Sequence, residues 1–112
     1  MAIRSVQPEQ WYAFCMRTSS TLMGKRAAIE IASLSLGYTV ENFASPLLGI
    51  SFRPVDDLIS IHFDGLDHVV RRPRELYVDE GPGGLASLVI VDAEGLRRIM
   101  VVKDPPMLSN VL

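Results

Sequence analysis

Apolar and polar positions near the start of the chain follow a helical rhythm. Trp11, Phe14, Cys15, Thr18 and Leu22 are spaced i, i+3, i+4, i+7 and i+11, one stripe of a 3.6-residue period. Pro8 suits the first helical position, where its missing N–H would go unpaired in any case. Glu9 complements the positive end of the helix dipole, and Gly24 is a good terminator. The pattern predicts an amphipathic helix over residues 8–23 whose apolar stripe needs a surface to cover.

After Gly24 the rhythm changes to that of strands. Ala27 to Leu34 is apolar and β-branched, with Glu30 as its one charge, and Leu36-Gly37 marks a turn. Tyr38 to Ala44 reads as a second strand, Ser45-Pro46 as its break, and Leu47 to Phe52 as a third strand. Pro54 to Asp57 is a turn cluster. Leu58 to Phe63 alternates, with Ile59, Ile61 and Phe63 on one face and Ser60 and His62 on the other. Asp64-Gly65 is a hairpin turn signal. His68 to Arg71 ends near Pro73, and Glu75 to Asp79 resumes the strand. The Gly81-Pro82-Gly83-Gly84 turn follows, then strands over Leu85–Val91 and Leu96–Lys103 joined through Asp92-Ala93-Glu94-Gly95.

One helix followed by short strands at regular turn spacing predicts an α+β fold. The N-terminal amphipathic helix packs on a strongly curled, mainly antiparallel meander sheet, or a small barrel, of about five to seven strands. No crossover helix separates the strands, which excludes parallel pairing. The expectation is one domain over residues 1–112: the helix, a β-rich region over 26–103 and an irregular tail over 104–112.

Composition narrows the function classes. With 112 residues, 48% of them hydrophobic, the chain can bury a core without staples. Mean hydropathy is +0.23. Strands such as Leu85–Val91, apolar on both faces, point to a second buried face, hence to a homodimer or an unidentified protein partner. Eleven basic against thirteen acidic residues give a net charge of −2, which disfavours a nucleic-acid surface. Cys15 is the only cysteine, so no intramolecular disulfide forms. No segment approaches the roughly 20 apolar residues of a spanning helix, and Met1 to Ser5 lacks the apolar stretch of a secretory signal. A cytoplasmic protein without a cofactor is expected.

Two polar constellations remain. His62, Asp64, Asp67 and His68 flank the Asp64-Gly65 turn, and two histidines with two carboxylates are the donors a catalytic metal takes. The simpler reading is a solvated strand face and turn, since no HExxH or Cys-His spacing is present. Arg71, Arg72 and Arg74 bracket Pro73 and, with His68 close by, offer an anion or phosphate contact. The competing reading pairs them with local acids at a guarded sheet edge. Arg97-Arg98 extends the patch or lies on another face. Cys15 sits on the helix stripe and reads as a core thiol. Gly81 to Gly84 lacks the Lys-Ser/Thr and helix of a phosphate loop.

The block from Gly65 through Leu66-Asp67-His68 and Arg71-Arg72-Pro73-Arg74 to Tyr77-Val78-Asp79-Glu80 resembles the central block of a family of small bacterial proteins. That family is catalogued only as a domain of unknown function. Pro46 to Phe52 looks like its preceding strand, Leu85 to Gly95 like its closing hairpin, and Pro105-Pro106-Met107-Leu108 like its tail; the helix with Trp11 also fits. The resemblance implies a free-standing bacterial cytoplasmic domain and carries over no catalytic residue. Three readings follow: a non-catalytic, self-associating interaction module; an anion or nucleic-acid binder through Arg71, Arg72 and Arg74; and a metal-dependent enzyme using His62, Asp64, Asp67 and His68.

Overall fold

The structure is a computed structural model that describes residues 2–33 and 37–103. Strand β1 (Ala2–Ser5) leads through a 3-10 turn (Pro8–Gln10) into α1 (Trp11–Leu22). Seven strands follow: β2 (Arg26–Ser33), β3 (Gly37–Arg53), β4 (Leu58–Phe63), β5 (Leu66–Arg71), β6 (Pro73–Gly81), β7 (Gly84–Asp92) and β8 (Arg97–Lys103). They form one open, antiparallel sheet in the order β1-β6-β7-β8-β2-β3-β4-β5. Two meanders, β2 to β5 and β6 to β8, meet where β8 pairs with β2. The tail over 104–112 and the turn residue Leu36 lie outside the described residues.

The α+β class and the antiparallel pairing hold, with four corrections to the sequence reading. The sheet has eight strands rather than five to seven; of the two alternatives, sheet or barrel, it is the open sheet, with β1 and β5 at its ends. Ala2–Ser5, unassigned from sequence, pairs with β6, and Arg4 Nε donates to Glu80 Oε1 at 2.9 Å. Glu75 to Asp79 does not resume the strand that ends at Arg71. β5 lies at one end of the sheet, whereas β6 sits between β1 and β7.

Pro46 does not break β3, which runs through it for 17 residues. Up to Ser45 and Pro46, β3 pairs with β2; from Leu47 onward it pairs with β4. Proline therefore falls where the strand exchanges partners, and its missing N–H interrupts no ladder. Leu47 N donates to Lys25 O at 2.8 Å, and Pro46 O accepts from Asp64 N at 3.1 Å. The handover turns the later part of β3, with β4 and β5, across the layer formed by β6, β7, β8 and β2, and the core lies between the two layers.

The predicted helix stripe faces that core. Trp11, Phe14, Cys15 and Leu22 are buried with Ile29, Ile50, Ile61, Phe63, Leu88, Ile90 and Met100. Trp11 Nε1 donates to Val6 O at 2.7 Å, which satisfies its buried polar atom. Its ring meets Phe52 edge to face, with centroids 5.3 Å apart. α1 packs closely on β3 at Gly49. Ser19 Oγ accepts from Ile50 N at 3.0 Å, and a Cβ on Gly49 would lie 2.1 Å from that Oγ.

Gly49→Ala should therefore destabilise the protein by about 1–3 kcal/mol, the usual cost of overpacking. The penalty should shrink in a Ser19→Ala background, where the clashing oxygen is gone. Urea unfolding of the four members of that cycle checks it; an equal penalty in both backgrounds would refute the contact.

Candidate functional site

The arginine cluster is parted by one backbone angle. Arg72 has φ 51°, unusual for a residue with a Cβ. Its N–H donates to Asp57 O and its carbonyl accepts from Ala93 N, both at 2.9 Å, so the chain is held at this pivot between two turns. Arg71 and Arg72 consequently face the β7–β8 turn. There they line a cavity of about 340 Å³ with Arg98, Asp92, Val69 and Leu96. Arg74 faces elsewhere, donating to Asp57 Oδ2 at 3.1 Å and Pro73 O at 2.7 Å. The three arginines do not form a continuous basic surface.

Asp92 organises the cavity. Its Oδ1 accepts from Glu94 N at 2.9 Å and Leu96 N at 3.0 Å, and its Oδ2 accepts from Arg98 Nη1. The pair is largely enclosed, with side chains 15% (Arg98) and 10% (Asp92) exposed. Burial by itself would raise the Asp92 carboxyl, but the Arg98 guanidinium and the two N–H donors outweigh it and hold the group below its ordinary value. Arg72 pairs with Glu94 at 3.0 Å in far more open surroundings. Arg97, one residue from Arg98, points to the opposite face.

His62 and His68 also lie on opposite faces of the sheet. His62 stands opposite Asp67, whereas His68 stands opposite the core residue Ile61. His62, Asp64, Asp67 and His68 thus do not converge, and no cluster of three or more metal-ligating His, Cys, Asp or Glu side chains occurs among the described residues. His62 has a different partner, missed in the sequence. Its Nε2 lies 2.8 Å from Ser51 Oγ, and its Nδ1 lies 2.9 Å from Asp67 Oδ1. The order is that of a nucleophile relay, which works in a dry site with a buried carboxylate and donors for an oxyanion. Here Asp67 is 57% exposed, so water competes for it, and the chain of contacts ties β3, β4 and β5 together. Cys15 is a core thiol: burial pushes it up to about 12, far from the thiolate form at neutral pH.

The third feature is the outer face of β6, β7, β8 and β2. Register places Tyr77, Val89, Ile99 and Glu30 in one row, and Asp79, Ser87, Val101 and Ala28 in the next. Glu75, Val91 and Arg97 form a third. Residues between these positions, such as Leu88, Ile90 and Met100, are fully buried on the core side. Tyr77, Val89, Ile99 and Val101 are only half-buried. Ile3, 69% exposed, prolongs the strip on β1, and a dimple of about 50 Å³ lies between Ile3, Tyr77 and Val89. No helix among the described residues is long and apolar enough to cross a membrane.

Comparison with known proteins places residues 2–111 in the family described as "Family of unknown function (DUF5335)". The chain is 36% identical over 104 residues to an uncharacterised protein of Aquifex aeolicus (strain VF5), covering 92% of this chain and 94% of that one. No solved structure matches it.

The depressed Asp92 carboxyl sets a pH dependence. Its contribution is present above the ordinary carboxylate range and is lost as pH falls through the folded-state value. Asp92→Asn should cost about 1.5–3 kcal/mol at neutral pH, the range for hydrogen bonds to charged groups. The gap to the native chain should close toward acid pH. Urea unfolding across that range checks it; a gap independent of pH would show that the ion pair contributes nothing.

Proposed function

The chain belongs to the family of unknown function DUF5335, and from its outer sheet face we propose that it is a small, non-catalytic interaction module that self-associates. The observation that carries this reading is the row Tyr77–Val89–Ile99, apolar and half-exposed at the middle of the sheet. A sheet solvated on one face ordinarily alternates apolar and polar side chains. β7 departs from that rule, with Val89 and Val91 outward and Leu88 and Ile90 inward.

Charge on the face favours a second copy as the partner. β6 presents the acids Glu75 and Asp79, whereas β8 presents Arg97 and Lys103 and β2 presents Arg26, with Glu30 as the one acid on that side. A two-fold axis lying between the two faces, parallel to β7 and passing over Val89, sets the acidic column of each copy against the basic column of the other. A homodimeric interface has this self-complementary character. The Aquifex aeolicus relative supports a bacterial setting, and the cytoplasm is the compartment we propose.

Sedimentation equilibrium tests the reading. The native chain should be a dimer, and Val89→Lys should yield a folded monomer by circular dichroism. Glu75→Arg should weaken the dimer by about tenfold or more, equivalent to 1.4 kcal/mol, and adding Arg97→Glu should restore it. A native chain that stays monomeric, or a dimer indifferent to Val89→Lys, overturns the proposal.

A further inference from the structure

We infer that the cavity between β5 and the β7–β8 turn binds a small organic monocarboxylate with an apolar body. Four observations converge on it. The cavity, about 340 Å³, is at the small end of ligand sites. Arg71, Arg72 and Arg98 line it against Asp92 and Glu94, which leaves one net positive charge. A monoanion neutralises that charge, whereas a dianion such as phosphate inverts it. Val69, 37% exposed, and the half-buried Leu96 supply apolar wall.

The arginines retain capacity for an acceptor. Arg71 is exposed and makes no ion pair among the described residues. Arg98 gives Nη1 to Asp92, while its Nε is buried without a hydrogen bond. Guanidinium groups bind carboxylates through paired N–H donors, and Arg98 is already fixed by Asp92, so little ordering remains to be done on binding. Arg72 holds its left-handed backbone beside them, and strain of this kind clusters at ligand sites. Asp92 and Arg98 project from the face of the sheet opposite Val89 and Ile99, so the cavity is separate from the self-association surface.

The test is titration of the 15N-labelled full chain with benzoate, its neutral isostere benzamide, and inorganic phosphate, followed by amide shifts. Benzoate should give saturable shifts centred on Val69, Arg71 and Leu96, half-saturating at about 1 mM or below. Benzamide should give none, and phosphate should bind more weakly than benzoate. Arg71→Gln should weaken benzoate by about tenfold with the fold intact, since no ion pair is removed. Arg98→Lys, which keeps the charge that faces Asp92 and removes the fork, should weaken it comparably. Absence of saturable shifts, equal response to benzamide, indifference to Arg71→Gln, or tighter binding of phosphate would each overturn the assignment.

Discussion

The contact between α1 and β3 at Gly49 is the constraint on which the rest of the fold depends. An isolated twelve-residue helix is marginal in water, and α1 carries no side-chain cap at its N-terminus. Its order comes from burying Trp11, Phe14, Cys15 and Leu22. The surface that receives them includes the half of β3 that has left β2 for β4. Gly49 lets the backbones approach, and Ser19 answers the N–H of Ile50 that points away from β4. The handover at Pro46 thus does two things together: it turns β4 and β5 over the layer of β2, β8, β7 and β6, and it presents a strand edge to the helix.

The same handover decides which apolar residues are used up within one chain. Folding β4 and β5 back over the rest of the sheet gives β2, β6, β7 and β8 a single covered face. Leu76, Leu88, Ile90, Met100 and Ile29 lie fully buried on it. The opposite face keeps Tyr77, Val89, Ile99 and Val101 in partial contact with water. A domain of this size has much surface for its volume, and its apolar residues outnumber the positions that one core offers. Part of the excess is gathered in a strip at the middle of the sheet with charges at its sides, while Tyr12, Met16, Met23, Leu48, Val55 and Leu66 stand exposed singly elsewhere. Scattered exposed apolar residues would carry no such message.

Legibility of the fold in the sequence follows the range of the interactions. The helix was readable because its stripe is a local signal, and the Asp64-Gly65 turn was readable because its two residues are a strong turn signal. Its register was not, since a one-residue slip exchanges the faces; the pairing of His62 with Asp67 and of His68 with Ile61 is what separates the histidines. Three features were hidden. Ala2–Ser5 is too short to show a period, and its partner β6 lies some seventy-five residues away, as Ala2 and Glu80 pair. Pro46 signals a break locally and is tolerated only because of where β3 changes partners. Ser51 comes to His62 through the β3–β4 register, which has a shift between Leu47 and Gly49, and no spacing rule anticipates a bulge.

The arginines show how one backbone angle can change the chemistry offered by a motif. In an extended chain, alternation would put Arg72 and Arg74 on one side and Arg71 on the other, a modest basic edge suited to phosphates. The left-handed turn at Arg72 redirects the chain from β5, at one end of the sheet, into β6, next to β1 at the other, and it sends Arg74 to Asp57. Arg71 and Arg72 are left facing the β7–β8 turn, where Arg98 and Asp92 are already paired. A dispersed basic edge reads charge density, and a polyanion is its natural partner. A concave group of guanidinium donors with an internal carboxylate and apolar walls reads shape and a single charge. The net charge of the chain, −2, opposes the first kind of recognition across the whole surface. It bears little on the second, because the field inside a cavity is set by the few groups that line it. The motif that suggested a nucleic-acid contact from its sequence is therefore better matched, once folded, to a small ligand.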